Sequence, residues 1–265
     1  MRLSIITINR NNVIGLRKTI ESVVCQAFKD FEYIIIDGAS TDGSVDVIKE
    51  YHDSITYWVS EPDKGIYNAM NKGIKVAKGE YCYFLNSGDW LYDCKILEMV
   101  FNENINSDII SGNILKKTEV ETSPQIFTIR NLLIKNIPHQ AMFIKKKLFE
   151  NDQMYNEGLK ILSDFLFNIQ VCLKGVSYKY INLIIANYDT TGISNNNDHY
   201  QLLLDEEKYI LNKTLPCAVQ DDYKYFLNKK TFNHPSIRWL IKNNFLFKLI
   251  KGLNLVFNKT KEVYD

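Results

Sequence analysis

Four polar turns follow apolar runs in the first third of the chain, and they carry residue types that bind phosphates, sugar hydroxyls and cations. The turns contain Thr7 and Asn9, then Asp37 to Asp42, then Glu61 to Gly65, then Asn86 to Asp89. Ligands of open α/β sheets gather beyond the carboxyl ends of the strands, so these turns are candidates for one shared site. The same residue types are also ordinary turn formers, and that simpler interpretation stays open for each turn read alone.

The elements that must position these turns alternate regularly between strands and helices. Apolar runs predict strands at Leu3–Ile8, Phe31–Ile36, Ile55–Val59 and Tyr81–Leu85. Apolar residues at helical spacing predict helices at Leu16–Ala27, Ser44–Tyr51 and Gly65–Lys78. Gly79 is the expected stop signal of the third helix. This alternation predicts an α/β fold with a mostly parallel sheet, which places all four turns at one edge.

The second half is less regular. We expect helices at Ile96–Phe101 and Ser163–Lys174, strands at Asp108–Ser111, Ala141–Ile144 and Val176–Asn187, a polar loop at Lys116–Pro124, and a turn-rich loop at Gly192–Asp198. The composition shifts to Lys, Leu, Phe and Asn after about Tyr200. We therefore expect a globular domain over residues 1–199 and a helical extension over residues 200–265.

Bulk composition excludes several classes of protein. The chain has 265 residues, 46% of them hydrophobic, and a formal net charge of +1, which argues against a general nucleic-acid binder. The cysteines form no CxxC pair and suggest neither a disulfide framework nor a zinc site; they are Cys25, Cys82, Cys94, Cys172 and Cys217. A reducing, cytoplasmic setting is therefore expected. No apolar run reaches the roughly 18 residues that a membrane span requires.

Common nucleotide motifs are absent from the turns. The first turn reads TINRNN where a dinucleotide-binding protein carries GxGxxG, and no GxxxxGK[ST] or GxSxG occurs. A carboxylate such as Asp37 at the end of a buried strand can instead accept hydrogen bonds from a base or ribose, and Gly38 lets the backbone approach a ligand. Asp89 could hold a divalent ion that neutralises a diphosphate.

Several long segments, in the right order, resemble the bacterial family 2 glycosyltransferases. They are LSIITINRNN, TIESVVCQAFKDFEYIIIDGASTDGS, SEPDKGIYNAMNKGIKVAKGEY and FLNSGD, followed more thinly by PHQAMFIKKKLF, the ILSDF region and TTGIS. The resemblance is dense over residues 1–95. It implies the GT-A nucleotide-sugar-binding fold and inverting transfer of a sugar from a nucleotide-diphosphate donor to an acceptor hydroxyl. The acceptor would be a saccharide or lipid-linked saccharide of surface polysaccharide or lipopolysaccharide biosynthesis.

The resemblance also assigns roles by position. Asp37 resembles the family's base- or ribose-binding aspartate, and Asp164 resembles its catalytic base, kept ionised at a helix N-terminus. His139 and Gln140 resemble a pair on the acceptor or metal side. The remaining nucleotide-sugar-binding positions are Thr7, Asn9, Arg10, Ser40, Asp63, Lys64, Gly65, Asn68, Lys72, Asn86 and Ser87.

The segment Asn86 to Asp89 matches the family's metal-binding DxD region but departs from it. Ser87 and Gly88 stand where many relatives carry acids, so only Asp89 is left to bind Mn or Mg. That depletion motivates an alternative from another class, a non-catalytic nucleotide-sugar-binding or scaffold protein of the same assembly. A sugar nucleotidyltransferase is a weaker alternative, because the first turn lacks that class's glycines.

A basic amphipathic helix is expected over 237–257. Its apolar face includes Phe245, Leu249 and Val256, and its cations include Lys248 and Lys251. Two interpretations remain: the helix docks on protein or dimerises, or it contacts anionic lipid at the inner face of the cell membrane.

The lipid interpretation predicts that the full chain sediments with vesicles of anionic lipid, less so as salt rises, and that truncation after residue 232 abolishes this. Salt screens the attraction of exposed lysines for lipid headgroups, so cosedimentation at two ionic strengths is the measurement. Equal sedimentation of truncated and full-length protein would remove the lipid interpretation.

Overall fold

The computed structural model describes residues 1–102, 106–150, 153–190 and 200–221. It divides into two compact units, Met1–Thr214 and Leu215–Asp265. Of the second unit only 215–221 are described, where the Pro216 carbonyl accepts hydrogen bonds from the backbone N–H groups of Val219 and Gln220. The predicted loop Gly192–Asp198 and the amphipathic helix over 237–257 lie outside the described residues. The boundary between 199 and 200 stays a prediction.

The first unit alternates strands and helices as expected, then becomes mixed. Its strands are β1 (Leu3–Asn9), β2 (Phe31–Asp37), β3 (Tyr57–Ser60), β4 (Tyr81–Phe84), β5 (Trp90–Leu91), β6 (Ile109–Lys116), β7 (Glu119–Glu121), β8 (Met142–Lys145) and β9 (Tyr178–Tyr188). Its α-helices are α1 (Val13–Val24), α2 (Ser44–Glu50), α3 (Ile66–Val76), α4 (Ile96–Asn102), α5 (Ile129–Ile134), α6 (Ser163–Leu173) and α7 (Tyr200–Thr214).

One mixed sheet contains all the described strands. Its order is β3-β2-β1-β4-β8-β6-β9-β5, and β7 pairs with β6. The first four strands are mutually parallel, whereas β8 runs antiparallel to both β4 and β6. The predicted α/β class with parallel N-terminal strands is confirmed, and the carboxyl ends of β1, β2, β3 and β4 share one edge.

The core lies on both faces of the parallel strands. Ile5 of β1 packs in one cluster with Leu16 and Ile20 of α1, and all three are fully buried. The opposite face receives α3, whose Gly73 lies directly against Ile6. Both faces of these strands are covered, which is why β1, β2 and β4 read as continuous apolar runs in the sequence.

Three details of the second half and the loops differ from expectation. The predicted loop Lys116–Pro124 contains β7, and α5 lies where we predicted no helix. A disulfide joins Cys25, at the end of α1, to Cys94 in the turn before α4, with Cα atoms 5.3 Å apart. The expectation that the cysteines form no disulfide is therefore wrong for this pair, because the fold brings together two residues that lie far apart in the sequence.

Gly79 was expected to end α3, but the helix ends earlier and Gly79 has another role. The C-cap of α3 is Ala77, in an extended conformation. A Cβ atom on Gly79 would lie 2.5 Å from the backbone carbonyl carbon of Leu3 and 2.5 Å from the backbone nitrogen of Ser4. The residue is therefore required where the chain passes close to β1.

Gly79→Ala should lower the free energy of unfolding by about 1–3 kcal/mol, because the colliding atoms belong to backbone and cannot rotate away. Urea unfolding at neutral pH is the measurement. Gly158→Ala is the control, since the only contact of its Cβ would be a side-chain oxygen of Asn156 at 3.1 Å. Equal unfolding free energies for the two variants would contradict the close approach.

Candidate active site

A buried carboxylate joins the ends of β1, β2 and β3. Asp37 is fully buried, and its oxygens accept hydrogen bonds from Asn9 Nδ2 at 2.8 Å, Ser40 N at 2.9 Å, Ser40 Oγ at 2.6 Å and Ser60 Oγ at 2.6 Å. A carboxylate has about four acceptor positions, so all of them are in use. That Asp37 binds a base or ribose stays a prediction, and such a contact would replace one of these bonds.

Neighbouring residues on the first two turns divide into structural and exposed groups. Thr7 is fully buried, and its hydroxyl donates to the Leu85 carbonyl at 2.8 Å, which fixes β1 to β4. Arg10 is exposed at the edge, with its Cδ 3.4 Å from the position a Cβ on Gly38 would take. Ser87 joins the same edge because its backbone N–H donates to the Ile8 carbonyl.

The loop before α3 is folded against the second turn. The Asp63 carboxylate lies close to Gly38, since a Cβ atom added to Gly38 would be 2.6 Å from Asp63 Oδ2. The other oxygen, Asp63 Oδ1, accepts a hydrogen bond from the backbone N–H of Gly65. Lys64 N donates to Asn68 Oδ1 at 3.1 Å. Lys72 is paired within the loop, at 2.7 Å from Glu61 Oε1. Asp63 and Arg10 thus converge on Gly38, while Asn68 and Lys72 brace the loop.

A second group of side chains comes together on the other side of β4. Asn86 Nδ2 lies 3.0 Å from His139 Nε2, and His139 Nδ1 lies 3.7 Å from Asp164 Oδ2. When the Asn86 amide donates to Nε2, the ring proton is on Nδ1 and faces Asp164. His139 and Asp164 are 17% and 15% exposed, so both can be reached from solvent. The predicted residues Asn86, His139 and Asp164 are therefore brought into one row.

Asp164 lies in the first turn of α6, where the helix dipole favours a negative charge. Its Oδ1 accepts from the backbone N–H of Phe165 at 2.8 Å and lies 3.3 Å from the Tyr67 hydroxyl. Its other oxygen, Oδ2, faces His139 and accepts no hydrogen bond from any described residue. One carboxylate oxygen therefore remains available to accept a proton from a ligand.

Asp89 points into the protein. It is 4% exposed, with Oδ2 accepting from Gln140 Nε2 at 2.7 Å and Oδ1 accepting from the Asp189 backbone N–H at 2.8 Å. Burial raises the pKa of Asp89 to about 6, partly offset by these two hydrogen bonds and by His139. The carboxylate thus fastens the segment before β8 and the residue after β9 to the end of β4.

A cation at Asp89 would compete with the hydrogen bonds that this carboxylate already accepts. In the described part of the chain no three His, Cys, Asp or Glu side chains are grouped so that they could hold a metal ion. Both Asp89 oxygens are already hydrogen-bonded, and Gln140 is oriented by Asp89. The metal role of Asp89 stays a prediction, and a cation bound there would replace at least one of these hydrogen bonds.

Sequence reasoning missed three residues of the site. Ser60 is the last residue of β3 and Asp189 follows β9, and these positions could have indicated them, although β9 is far from the first turns in sequence. Tyr67 lies in the segment GIYNAMNKG, which carries part of the family resemblance, but the resemblance assigns no role to the tyrosine. Its burial raises its pKa well above the ordinary value, so the phenol stays protonated and can donate.

The mixed α/β sheet with polar turns at one edge is the architecture expected of the GT-A class. Residues 4–163 match the family model "Glycosyl transferase family 2". The chain is 30% identical over 198 residues to the PGL/p-HBAD biosynthesis glycosyltransferase of Mycobacterium tuberculosis, covering 71% of this chain and 77% of that one. The chain therefore belongs to glycosyl transferase family 2.

Solved structures confirm the GT-A fold. Residues 1–349 of Staphylococcus aureus TarS in complex with UDP-GlcNAc superpose with a TM-score of 0.67 at 20% identity, covering 92% of this chain and 76% of that one. The mannosyltransferase PcManGT from Pyrobaculum calidifontis, in complex with GDP-Man and Mn²⁺, superposes with a TM-score of 0.58 at 16% identity, covering 72% and 58%. None of the helices within the described ranges combines the length and hydrophobicity that a membrane span requires.

Asp89→Asn should gain stability relative to the parent protein as pH rises from 4 to 7. The folded state raises the pKa of this carboxyl from 3.8 to about 6, so it favours the protonated form more than the unfolded state does. The parent protein therefore loses stability as pH rises through that range. The loss is about 3 kcal/mol, since each pKa unit corresponds to about 1.4 kcal/mol. An asparagine can accept from Asp189 N–H and donate to a rotated Gln140 amide. Urea unfolding without divalent metal is the measurement.

Asp205→Asn is the control for this comparison, since Asp205 is exposed and its carboxylate accepts a hydrogen bond from the uncharged Gln201. Its stability difference from the parent should stay flat over the same pH range. A flat difference for Asp89→Asn as well would contradict the burial of an ionisable Asp89.

Proposed function

We propose that the chain transfers a sugar from a nucleoside-diphosphate sugar to an acceptor hydroxyl with inversion at the anomeric carbon, and that Asp164 is the general base. The observation that carries this proposal is the placement of Asp164. Its carboxylate lies at the N-terminus of α6, beside His139, with one oxygen unused by backbone or tyrosine. It lies across β4 from the turns at the ends of β1 and β2.

The donor would bind along those turns. Arg10 and Lys64 are exposed there, and within the described ranges neither side chain has a hydrogen bond or an ion pair closer than 4 Å. Two exposed cations suit the phosphates of a nucleoside diphosphate. The relative TarS binds UDP-GlcNAc, which supports a nucleotide-sugar donor for this chain.

The proposed reaction is a single displacement at the anomeric carbon. The oxygen of the acceptor hydroxyl attacks the anomeric carbon, its proton passes to Asp164 Oδ2, and the bond from carbon to the diphosphate oxygen breaks. The nucleoside diphosphate departs with the bonding pair, and the new glycosidic bond lies on the opposite face. His139 holds the Asp164 carboxylate toward the acceptor through Nδ1, and Asn86 fixes the orientation of the imidazole.

The acceptor we propose is a saccharide or a lipid-linked saccharide of cell-surface glycan or glycolipid biosynthesis. The relative from Mycobacterium tuberculosis is named a PGL/p-HBAD biosynthesis glycosyltransferase, and this biosynthetic role supports the proposal. A Mn²⁺ or Mg²⁺ requirement belongs to the same proposal, supported by the Mn²⁺ bound to PcManGT. Assays with Mn²⁺, with Mg²⁺ and with a chelator test it separately from transfer itself.

Asp164→Asn should lower transfer by about 10²- to 10⁴-fold while donor binding is kept, because the amide cannot accept the proton but has the same shape. The measurement is nucleoside-diphosphate release from a panel of UDP-, GDP- and TDP-sugars with candidate saccharide acceptors. The thermal shift that each donor induces reports binding. Asp53→Asn is the matched control at an exposed site.

Three results would count against the proposal. Near-parental transfer by Asp164→Asn would reject this residue as the base. Absence of both donor binding and release, for every donor tried, would reject the activity. Donor binding without turnover, in the presence of the acceptor of the assembly, would favour the non-catalytic nucleotide-sugar-binding alternative.

A further inference from the structure

Helix α7 is mostly exposed, yet it buries one carboxylate. Glu206 is 6% exposed, whereas Asp205 before it is exposed and Glu207 after it is half-buried. Removing a carboxylate from water is costly unless protein donors replace the lost hydration. The local sequence of α7 supplies no such donor, so the reason for the burial lies in what Glu206 contacts.

Glu206 accepts three backbone hydrogen bonds from the segment that leads into α6. Its Oε1 accepts from Lys160 N at 2.6 Å, and its Oε2 accepts from Ile161 N at 3.0 Å and Leu162 N at 2.9 Å. Leu162 is the N-cap residue of α6 and has no side chain able to cap it. A carboxylate from a helix about 40 residues later in the chain therefore fixes the entry to α6.

The opposite side of the same segment is held by α3. The Tyr67 hydroxyl donates to the Ile161 carbonyl at 2.5 Å and lies 3.3 Å from Asp164 Oδ1. Ile161 is therefore fixed at its N–H by Glu206 and at its carbonyl by Tyr67. Asp164 follows three residues later, so the position of its carboxylate depends on where this segment is held.

We propose that Glu206 is a positioning residue, which holds residues 160–162 so that Asp164 faces His139 and the acceptor hydroxyl. It acts through the backbone, since its carboxylate accepts hydrogen bonds from the three N–H groups of residues 160–162. The inference rests on the proposed function, because it assigns Glu206 to the base of that reaction. Through Glu206, helix α7 helps to position the general base.

Glu206→Gln should lower kcat by about 10- to 100-fold and leave KM for the donor within about twofold. One carboxylate oxygen becomes an NH₂ group that faces backbone N–H donors, so at least one of the three bonds is lost. A displacement of about 1 Å at a reacting group costs on the order of 10²-fold in rate. Asp205→Asn is the matched control, since Asp205 is exposed and bonds only Gln201 one turn away.

A second readout does not depend on turnover. Amide hydrogen exchange measured on the full chain should become faster at Lys160, Ile161 and Leu162 in Glu206→Gln, with exchange in β1 and β2 unchanged. A lower melting temperature with parental kcat would show a purely structural role and overturn the inference. Unchanged exchange at the three amides would overturn it as well.

Tyr67→Phe tests the same segment if Glu206→Gln does not fold. It removes the hydroxyl that holds the Ile161 carbonyl and keeps the ring, and it should also lower kcat with donor KM retained. Where both variants fold, their effects should be less than additive, because they loosen one segment. Parental kcat in both variants, with Asp164→Asn inactive, would reject this inference and leave the proposed function standing. Absence of transfer by the parent protein would reject both.

Discussion

Four acidic side chains are buried in the described part of the chain, and each accepts hydrogen bonds from segments that are distant in sequence. They are Glu32, Asp37, Asp89 and Glu206. Glu32 accepts from Ser4 Oγ at 2.6 Å and from Gly79 N at 3.2 Å, which ties the start of β4 to β1 and β2. A buried donor or acceptor left unpaired costs about 1–3 kcal/mol, so each carboxylate requires its partner segments to stay in one arrangement. The geometry of the sheet edge that carries the candidate active site depends on this requirement.

The two groups of the site follow from where these carboxylates lie. Asp37 gathers the turns at the ends of β1, β2 and β3 into one surface, the surface to which we assign the donor. Asp89 gathers the end of β4, Gln140 and Asp189, and so places His139 next to Asn86. Residues that the sequence marks as direct ligands thus organise neighbours that solvent can reach. The exposed Arg10 and the partly exposed Asp164 are examples of those neighbours.

Local pattern was enough to predict the parallel half of the sheet. Strands buried on both faces give unbroken apolar runs, so β1, β2 and β4 were placed within a residue or two. The mixed half was harder, because β7 is three exposed or half-exposed residues long and α5 has only six residues. The resemblance singled out Asn86, His139 and Asp164 one by one, with Asn86 among the nucleotide-sugar positions, but it predicted no contact between them. The roles of Glu206 and of the Cys25–Cys94 pair cannot be predicted from local sequence, because the residues they contact are brought close only by the tertiary fold.

Helix α3 connects the two sides of the proposed reaction. Its N-terminus follows the loop that carries Asp63, on the donor side, and its buried face carries Tyr67 and Asn71. Asn71 exchanges two hydrogen bonds with the backbone of Tyr155, at 2.9 Å and 3.1 Å, while Tyr67 holds Ile161. A helix of 11 residues changes length very little, because each turn is closed by backbone hydrogen bonds. The separation between the donor loop and the segment before Asp164 is therefore set by a rigid element. Direct displacement needs that property, because the base, the acceptor oxygen and the anomeric carbon must keep one alignment while the leaving group departs on the far side.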